Sequence, residues 1–236
     1  MKQNTRWLVR KCCVVVATLL LVFPGYAVDK PADKPTVPAT EALARLKAGN
    51  ARFVKGQRAP VNYITERHKL VAGQQPYAIV LSCSDSRVPP ELVFDESLGR
   101  VFVIRVAGNV TDPEDLGSIE YAAEHLHSKL LVVLGHESCG AVKATLDGGK
   151  VSPNLEAIIR KIEPAAKRAR QRGLDPEATL RLAVSENVRE QMDNALKESE
   201  VLKEMVEKKD LTVLGAVYHL GSGKVEWLGH GLATGK

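Results

Sequence analysis

Ala78-Ile79-Val80-Leu81-Ser82-Cys83-Ser84-Asp85-Ser86-Arg87 opens on a short apolar run and closes on a thiol, a carboxylate and a guanidinium. The apolar run reads as a buried strand. The same arrangement recurs downstream. Leu131-Val132-Val133-Leu134 reads as a second buried strand, and His136-Glu137-Ser138-Cys139-Gly140 follows it. Together the two motifs supply two thiols, an imidazole and a carboxylate, a ligand set suited to one tetrahedral zinc ion per chain. Ligands at the ends of two strands of one sheet lie where α/β proteins place their sites.

The chain has 236 residues, enough for one domain with a sizeable core. Working outward, the first 27 residues stand apart from that domain. Lys2, Arg6, Arg10 and Lys11 precede an apolar run from Cys12 to Phe23, and Gly25-Tyr26-Ala27 offers a small-residue cleavage site. This pattern predicts a secretory signal peptide cut after Ala27, hence a periplasmic or secreted protein; an uncleaved N-terminal anchor is the alternative. The run is short for a membrane span, so no stable span is expected after cleavage. Residues 28–38, with Pro31, Pro35 and Pro38, read as a linker, and residues 39–236 as a single catalytic domain. Removing four basic and no acidic residues with the leader lowers the formal net charge from +5 to +1, so the basic balance argues for no nucleic-acid partner.

Cleavage also leaves only Cys83 and Cys139. Two cysteines in an exported protein usually suggest a disulfide. Their surroundings favour a metal instead, because a disulfide has no need of His136, Asp85 or Arg87.

Thr40 is expected to cap a helix to about Phe53, and a shorter helix to cover Thr65 to Ala72. Val101 to Arg105 reads as a strand, Ser118 as the cap of a helix through about Leu126, and a further helix as starting near Cys139. The stretch from Asn154 to Arg172 reads as a basic helix broken or kinked at Pro164, its Lys161, Lys167, Arg168, Arg170 and Arg172 forming a solvated face. Pro176 opens a long helix to about Lys208. Thr212 to His219 and Val225 to Leu228 read as two strands joined at Gly221-Ser222-Gly223. Alternating strands and helices predict an α/β fold, a mostly parallel sheet core flanked by helices with a final hairpin adding an antiparallel edge.

If the backbone stays extended past the first strand, Cys83, Asp85 and Arg87 face one side. Arg87 then holds Asp85 through a bidentate pair. Asp85 has two exclusive roles: fourth metal ligand, or partner of Arg87 accepting a hydrogen bond from a metal-bound water. Cys139 at a helix start is expected to have a lowered thiolate pKa, and Gly140 to allow close backbone approach with its N–H facing an anion. Two thiolates cancel the formal charge of the ion, so hydroxide is expected to dominate only at mildly alkaline pH.

These residues resemble the β-class carbonic anhydrases, of an exported bacterial type. Cys83-Ser84-Asp85-Ser86-Arg87-Val88-Pro89 and His136-x-x-Cys139-Gly140-Ala141-Val142 match the two zinc motifs of that family. The likeness extends through Gly49-Asn50-x-Arg52-Phe53, Arg105-Val106-Ala107-Gly108-Asn109 and Ile119-Glu120-Tyr121-Ala122, and spans roughly residues 40 to 230. It implies a β-carbonic anhydrase-like fold with an N-terminal helical arm, and reversible hydration of CO2 to bicarbonate and a proton through a zinc-bound hydroxide. It implies Cys83, His136 and Cys139 as zinc ligands with Asp85 or water fourth, and Asp85 and Arg87 as a catalytic dyad. Gln74 matches a substrate-binding glutamine of plant-like members, and Phe102 and Tyr121 match aromatics that line their apolar pocket. Val80 stands where some bacterial members carry the tryptophan of an inhibitory bicarbonate site, although Arg105 matches the arginine of that site. The family also implies a homodimer or homotetramer with active sites at the dimer interface. His68, His125, His127, His219 and His230 are the remaining proton-relay candidates. Hydrolysis of COS or CS2 on the same fold is a second reading, and a non-catalytic exported zinc-binding protein a third.

Overall fold

The computed structural model describes residues 36–230, so the predicted leader and most of the linker lie outside the described residues. Five strands form one sheet in the order β2-β1-β3-β4-β5. They are β1 (Ala78–Ser82), β2 (Val101–Arg105), β3 (Leu130–His136), β4 (Thr212–Tyr218) and β5 (Val225–His230). The first four in that order run parallel, and β5 pairs antiparallel with β4. The architecture is the expected α/β one.

Every residue of β1 and β3 is buried, as expected of central parallel strands covered on both faces. The two-residue alternation sorts them. Ile79, Leu81, Leu131 and Val133 face one core, with Leu116 and Ile119 of α4 (Pro113–Glu124), Ile162 of α6 (Pro153–Arg170) and Val184, Val188 and Met192 of α7 (Pro176–Glu198). Ala78, Val80, Val132 and Leu134 face the other, with Ala42 and Leu46 of α1 (Ala39–Val54) and with Phe94 after the short α3 (Pro90–Val93). Asn50 ties α1 to its surroundings by donating to the carbonyls of Val93 and Gly223, at 3.0 and 2.9 Å, and accepting from the Val225 N–H.

Several helix boundaries differ from expectation, each for a visible reason. α1 starts at Ala39 after Pro38 with no side-chain cap, so Thr40 lies inside it. α2 (Tyr63–Lys69) starts at Asn62, whose side chain accepts from the Thr65 N–H. α4 is capped by Asp112, which accepts from the Glu114 and Asp115 N–H groups at 3.1 Å, with Pro113 at the first helical position. Ser118 instead donates to the Glu114 carbonyl within the helix. α5 (Gly140–Asp147) does begin at Cys139. α6 runs through Pro164 without a break, its Ile162, Ala165, Ala166 and Ala169 packed into the core around the missing hydrogen bond. The helix from Pro176 ends at Ser199, which closes α7 and caps α8 (Glu200–Glu207) through the Leu202 N–H. Nor is the basic face of α6 merely solvated. Arg168 bridges Glu186 and Glu190 of α7 at 2.7 Å, and Lys161 donates to the Thr111 carbonyl.

α7 lies close to the sheet because β3 and β4 carry glycines beneath it. A methyl group added at Gly135 would sit 2.6 Å from Val188 Cγ2 and 3.4 Å from Val184 Cγ1. Both valines are stiff at χ1, so neither can swing away. Gly135→Ala is therefore expected to lower unfolding stability by about 1–3 kcal/mol through overpacking. A urea titration tests this, and an unchanged midpoint would show that α7 is not held at that distance.

Candidate metal centre

Hydrogen-bonded pairing of β1 with β3 sets Ser82 beside Leu134, so Cys83 and His136 emerge together at one edge of the sheet. Cys139 joins them through a tight turn in which Ser138 adopts a left-handed φ of 55°. Strain of that kind is concentrated at functional sites. One ligand atom from each of Cys83, His136 and Cys139 lies within 4.8 Å of the others. All three residues are buried, at 5 %, 0 % and 1 % exposure, and both cysteines are free thiols.

The histidine fixes how the cluster is used. His136 Nδ1 lies 2.9 Å from the Glu137 carbonyl, which can only accept, so Nδ1 carries the proton and Nε2 keeps its lone pair. Nε2 is buried with no hydrogen-bond partner. A buried orphan acceptor beside two thiols fits a soft divalent cation, and the set of one imidazole and two thiolates suits zinc.

A hydrogen bond from the Cys139 thiol chiefly lowers the Cys83 pKa, opposed by burial and helped by the Gly108 N–H. Gly108 N lies 3.4 Å from Cys83 Sγ. Donation to Cys83, and then burial, push the Cys139 thiol up instead. The Ala141 and Val142 N–H groups at the start of α5 point to the Cys139 sulfur and lower its pKa, the direction expected of a helix start.

Asp85 and Arg87 pair as expected, but through a turn rather than along an extended row. The Val88 N–H closes onto the Asp85 carbonyl at 3.0 Å, and the Arg87 N–H donates to Asp85 Oδ1 at 2.9 Å. Arg87 Nε and Nη2 then meet the two carboxylate oxygens at 2.9 and 2.7 Å. Hydrogen bonds from Arg87 hold the Asp85 carboxyl well below the usual carboxylate range. Its Oδ2 lies 3.8 Å from His136 Nε2, but the carboxylate is engaged by Arg87 and stands outside the three-residue ligand cluster. Arg105 props this loop from below, donating to the Cys83 and Asp85 carbonyls at 3.1 and 2.6 Å.

Of the remaining expected site residues, Gly140 adjoins Cys139, whereas Gln74, Phe102 and Tyr121 are not gathered with these. Gln74 is exposed, four residues before β1 begins, whereas Cys83 follows the far end of that strand. Phe102 pairs with Ile79 in the middle of β1, and its ring contacts that of Tyr121, on α4, at 6.3 Å. Tyr121 is 41 % exposed and its ring lies 5.4 Å from that of His125, tilted by 42°. Gly140 opens α5, and a side chain there would enter open space. Arg105 and Gly108 were quoted above only for their resemblance to a family pattern; their contacts to the Cys83 loop needed the tertiary structure.

Cys139→Ser and His136→Ala each remove a soft or neutral donor from the cluster. Each is expected to lose the single zinc ion per chain that the intact cluster holds. Metal analysis after dialysis checks this, and full retention in either variant would move the metal elsewhere.

A family model described as carbonic anhydrase matches residues 78–225. The carbonic anhydrase of Mycolicibacterium smegmatis is 40 % identical over 201 residues, covering 83 % of this chain and 96 % of that protein. Carbonic anhydrase 2 of Mycobacterium tuberculosis is 36 % identical over 195 residues, covering 80 % and 93 %. Among solved structures, the Coccomyxa β-carbonic anhydrase in complex with acetazolamide superposes with a TM-score of 0.65 at 31 % identity, over 70 % of this chain and 77 % of that one. A tetrameric β-carbonic anhydrase of Sordaria macrospora gives 0.66 at 26 % identity, over 82 % and 98 %. With that fold, that pair of motifs and those relatives, the chain belongs to the β-class carbonic anhydrases, zinc enzymes that interconvert CO2 and bicarbonate.

Proposed function

We propose that Cys83, His136 and Cys139 hold the catalytic zinc, that Asp85 and Arg87 act on the water it binds, and that the enzyme works outside the inner membrane. The observation that carries the reading is the bidentate Arg87–Asp85 pair beside a three-residue ligand cluster. Zinc held by these three residues would supply the Lewis acidity that makes water a nucleophile at mildly alkaline pH.

The protein's own groups do the rest. Asp85, kept ionised by Arg87, accepts the proton-side hydrogen bond of the attacking oxygen and turns a lone pair toward the substrate carbon. Arg87 holds that carboxylate in one orientation and places a positive charge near the oxygens on which charge develops. CO2 is linear, uncharged and poorly hydrated, so an apolar wall suits it. Phe102 and Tyr121 have the right chemistry, and Gln74 offers an amide to a bicarbonate oxygen. All three lie away from their own chain's metal centre, and this supports a homodimer, alone or paired into a tetramer, in which they complete the centre of a neighbouring copy. Export rests on Lys2, Arg6, Arg10 and Lys11 before the Cys12 to Phe23 run and on the Gly25-Tyr26-Ala27 cleavage site. No helix among the described residues is long and apolar enough to cross a membrane.

Stopped-flow CO2 hydration by the zinc-loaded protein is expected to be fast and to rise between about pH 7 and 8.5, since two thiolates leave the ion a weaker acidifier than neutral ligands do. Asp85→Asn is expected to reduce turnover about a hundredfold or more while zinc content stays at the wild-type level. Activity that survives this change would remove Asp85 from the reaction. Sedimentation at micromolar concentration tests the assembly, and a fully active monomer would exclude completion by a second copy. The intact mass of the protein from an exported fraction tests cleavage after Ala27.

A further inference from the structure

The turn that faces Cys83 is held in place by two amides from a distant helix. Gly108 and Asn109 follow one another with φ of 73° and 45°, both left-handed. A side chain at Gly108 would meet Ile162 Cδ1 at 2.7 Å and Ala141 Cβ at 3.2 Å. Two successive left-handed residues persist only where their surroundings over-determine them. Here α7 supplies the constraint. Asn187 Nδ2 donates to the Gly108 carbonyl at 2.8 Å. Gln191 Oε1 accepts from the Thr111 N–H at 3.1 Å and from its hydroxyl at 3.4 Å. Gln191 Nε2 donates to Asn187 Oδ1 at 3.1 Å and to the Lys161 carbonyl at 3.2 Å. Backbone carbonyls only accept and backbone N–H groups only donate, so the orientation of both amides is dictated. Lys161 closes the ring by donating to the Thr111 carbonyl.

Both amides are buried, at 1 % and 0 % exposure, between α7 and the sheet. Apolar side chains would fill that space with no polar group to satisfy. What the amides add is direction: they grip the turn at residues 108 and 111, on either side of Asn109. The N–H of the gripped glycine is the one that lies 3.4 Å from Cys83 Sγ.

We infer that Asn187 and Gln191 are positioning residues of the metal centre, aiming the Gly108 N–H at the Cys83 sulfur. A hydrogen bond to a thiolate ligand withdraws electron density from the sulfur and leaves the bound ion a stronger Lewis acid. The inference rests on the reading of Cys83 as a zinc ligand.

The test uses the full chain loaded with zinc or, for spectroscopy, with cobalt(II). Asn187→Leu and Gln191→Met keep the volume of the side chains and remove their hydrogen bonds. Met192→Ala serves as the control, since Met192 is buried on the same helix and its sulfur packs over Gly215. In Asn187→Leu the sulfur-to-cobalt charge-transfer band is expected to move to lower energy, and zinc to pass to an excess of chelator roughly tenfold faster because the turn that orients the Cys83 sulfur is no longer held. Gln191→Met acts one step further away and should shift both readouts in the same direction by less. Met192→Ala should lower the urea midpoint yet keep the wild-type band. A wild-type band and release rate in Asn187→Leu would overturn the inference, as would an equal shift in Met192→Ala, which would mark general loosening of α7. A Cys83→Ser protein that keeps one metal ion and the full band intensity would instead overturn the ligand role of Cys83, and the inference with it.

Discussion

Direct pairing of β1 with β3 is the constraint on which the metal centre depends. Neighbouring strands lie about 4.8 Å apart, so residues at their shared edge can reach one ion, whereas strands one place further apart would hold the same side chains about 10 Å from each other. Cys83 and His136 satisfy this only because Ser82 and Leu134 are register partners. That register is locked by burial: a slip of one residue would turn Ile79, Leu81 and Val133 out of one core and drive Val80 and Val132 into it.

The polar groups of the centre are arranged around this frame in layers. Two sulfurs and an imidazole converge in a buried pocket where unpaired polar atoms are costly, and a divalent cation would satisfy His136 Nε2, which has no hydrogen-bond partner. The Asp85–Arg87 pair is different, because the arginine side chain is 54 % exposed and its attraction to Asp85 is screened by water. Its contribution is geometric: a fork grips both carboxylate oxygens while the backbone turn supplies a third donor. Beneath that pair, Arg105 holds the carbonyls of Cys83 and Asp85, and α7 holds the turn at Gly108.

Much of this was legible in the linear pattern, and the failures are informative. β1 and β3 could be found because strands buried on both faces are written as unbroken apolar runs. The zinc ligands could be found because thiol and imidazole three residues apart, next to a strand end, have few other uses. Ser118 misled because a serine beside an apolar pattern is an acceptable cap; Asp112 with Pro113 was the stronger signal, six residues earlier. Ser199 lay hidden in a stretch of helix formers, and its role depends on Glu120, which accepts from its hydroxyl at 2.5 Å across the packed helices.

Residue types and their spacing, read along the chain, were enough for the strand order in sequence, the ligand identities and the class of chemistry, because these follow from local periodicity and from which atoms bind a soft cation. Folding alone settled which groups support those ligands. Asn187 and Gln191 are polar residues on the long helix α7, and no motif along the chain singled them out. They become a brace for Gly108 because Gly135 and Gly215 let α7 settle onto the sheet. Such a contact joins residues 79 positions apart, and no local propensity encodes a contact at that range.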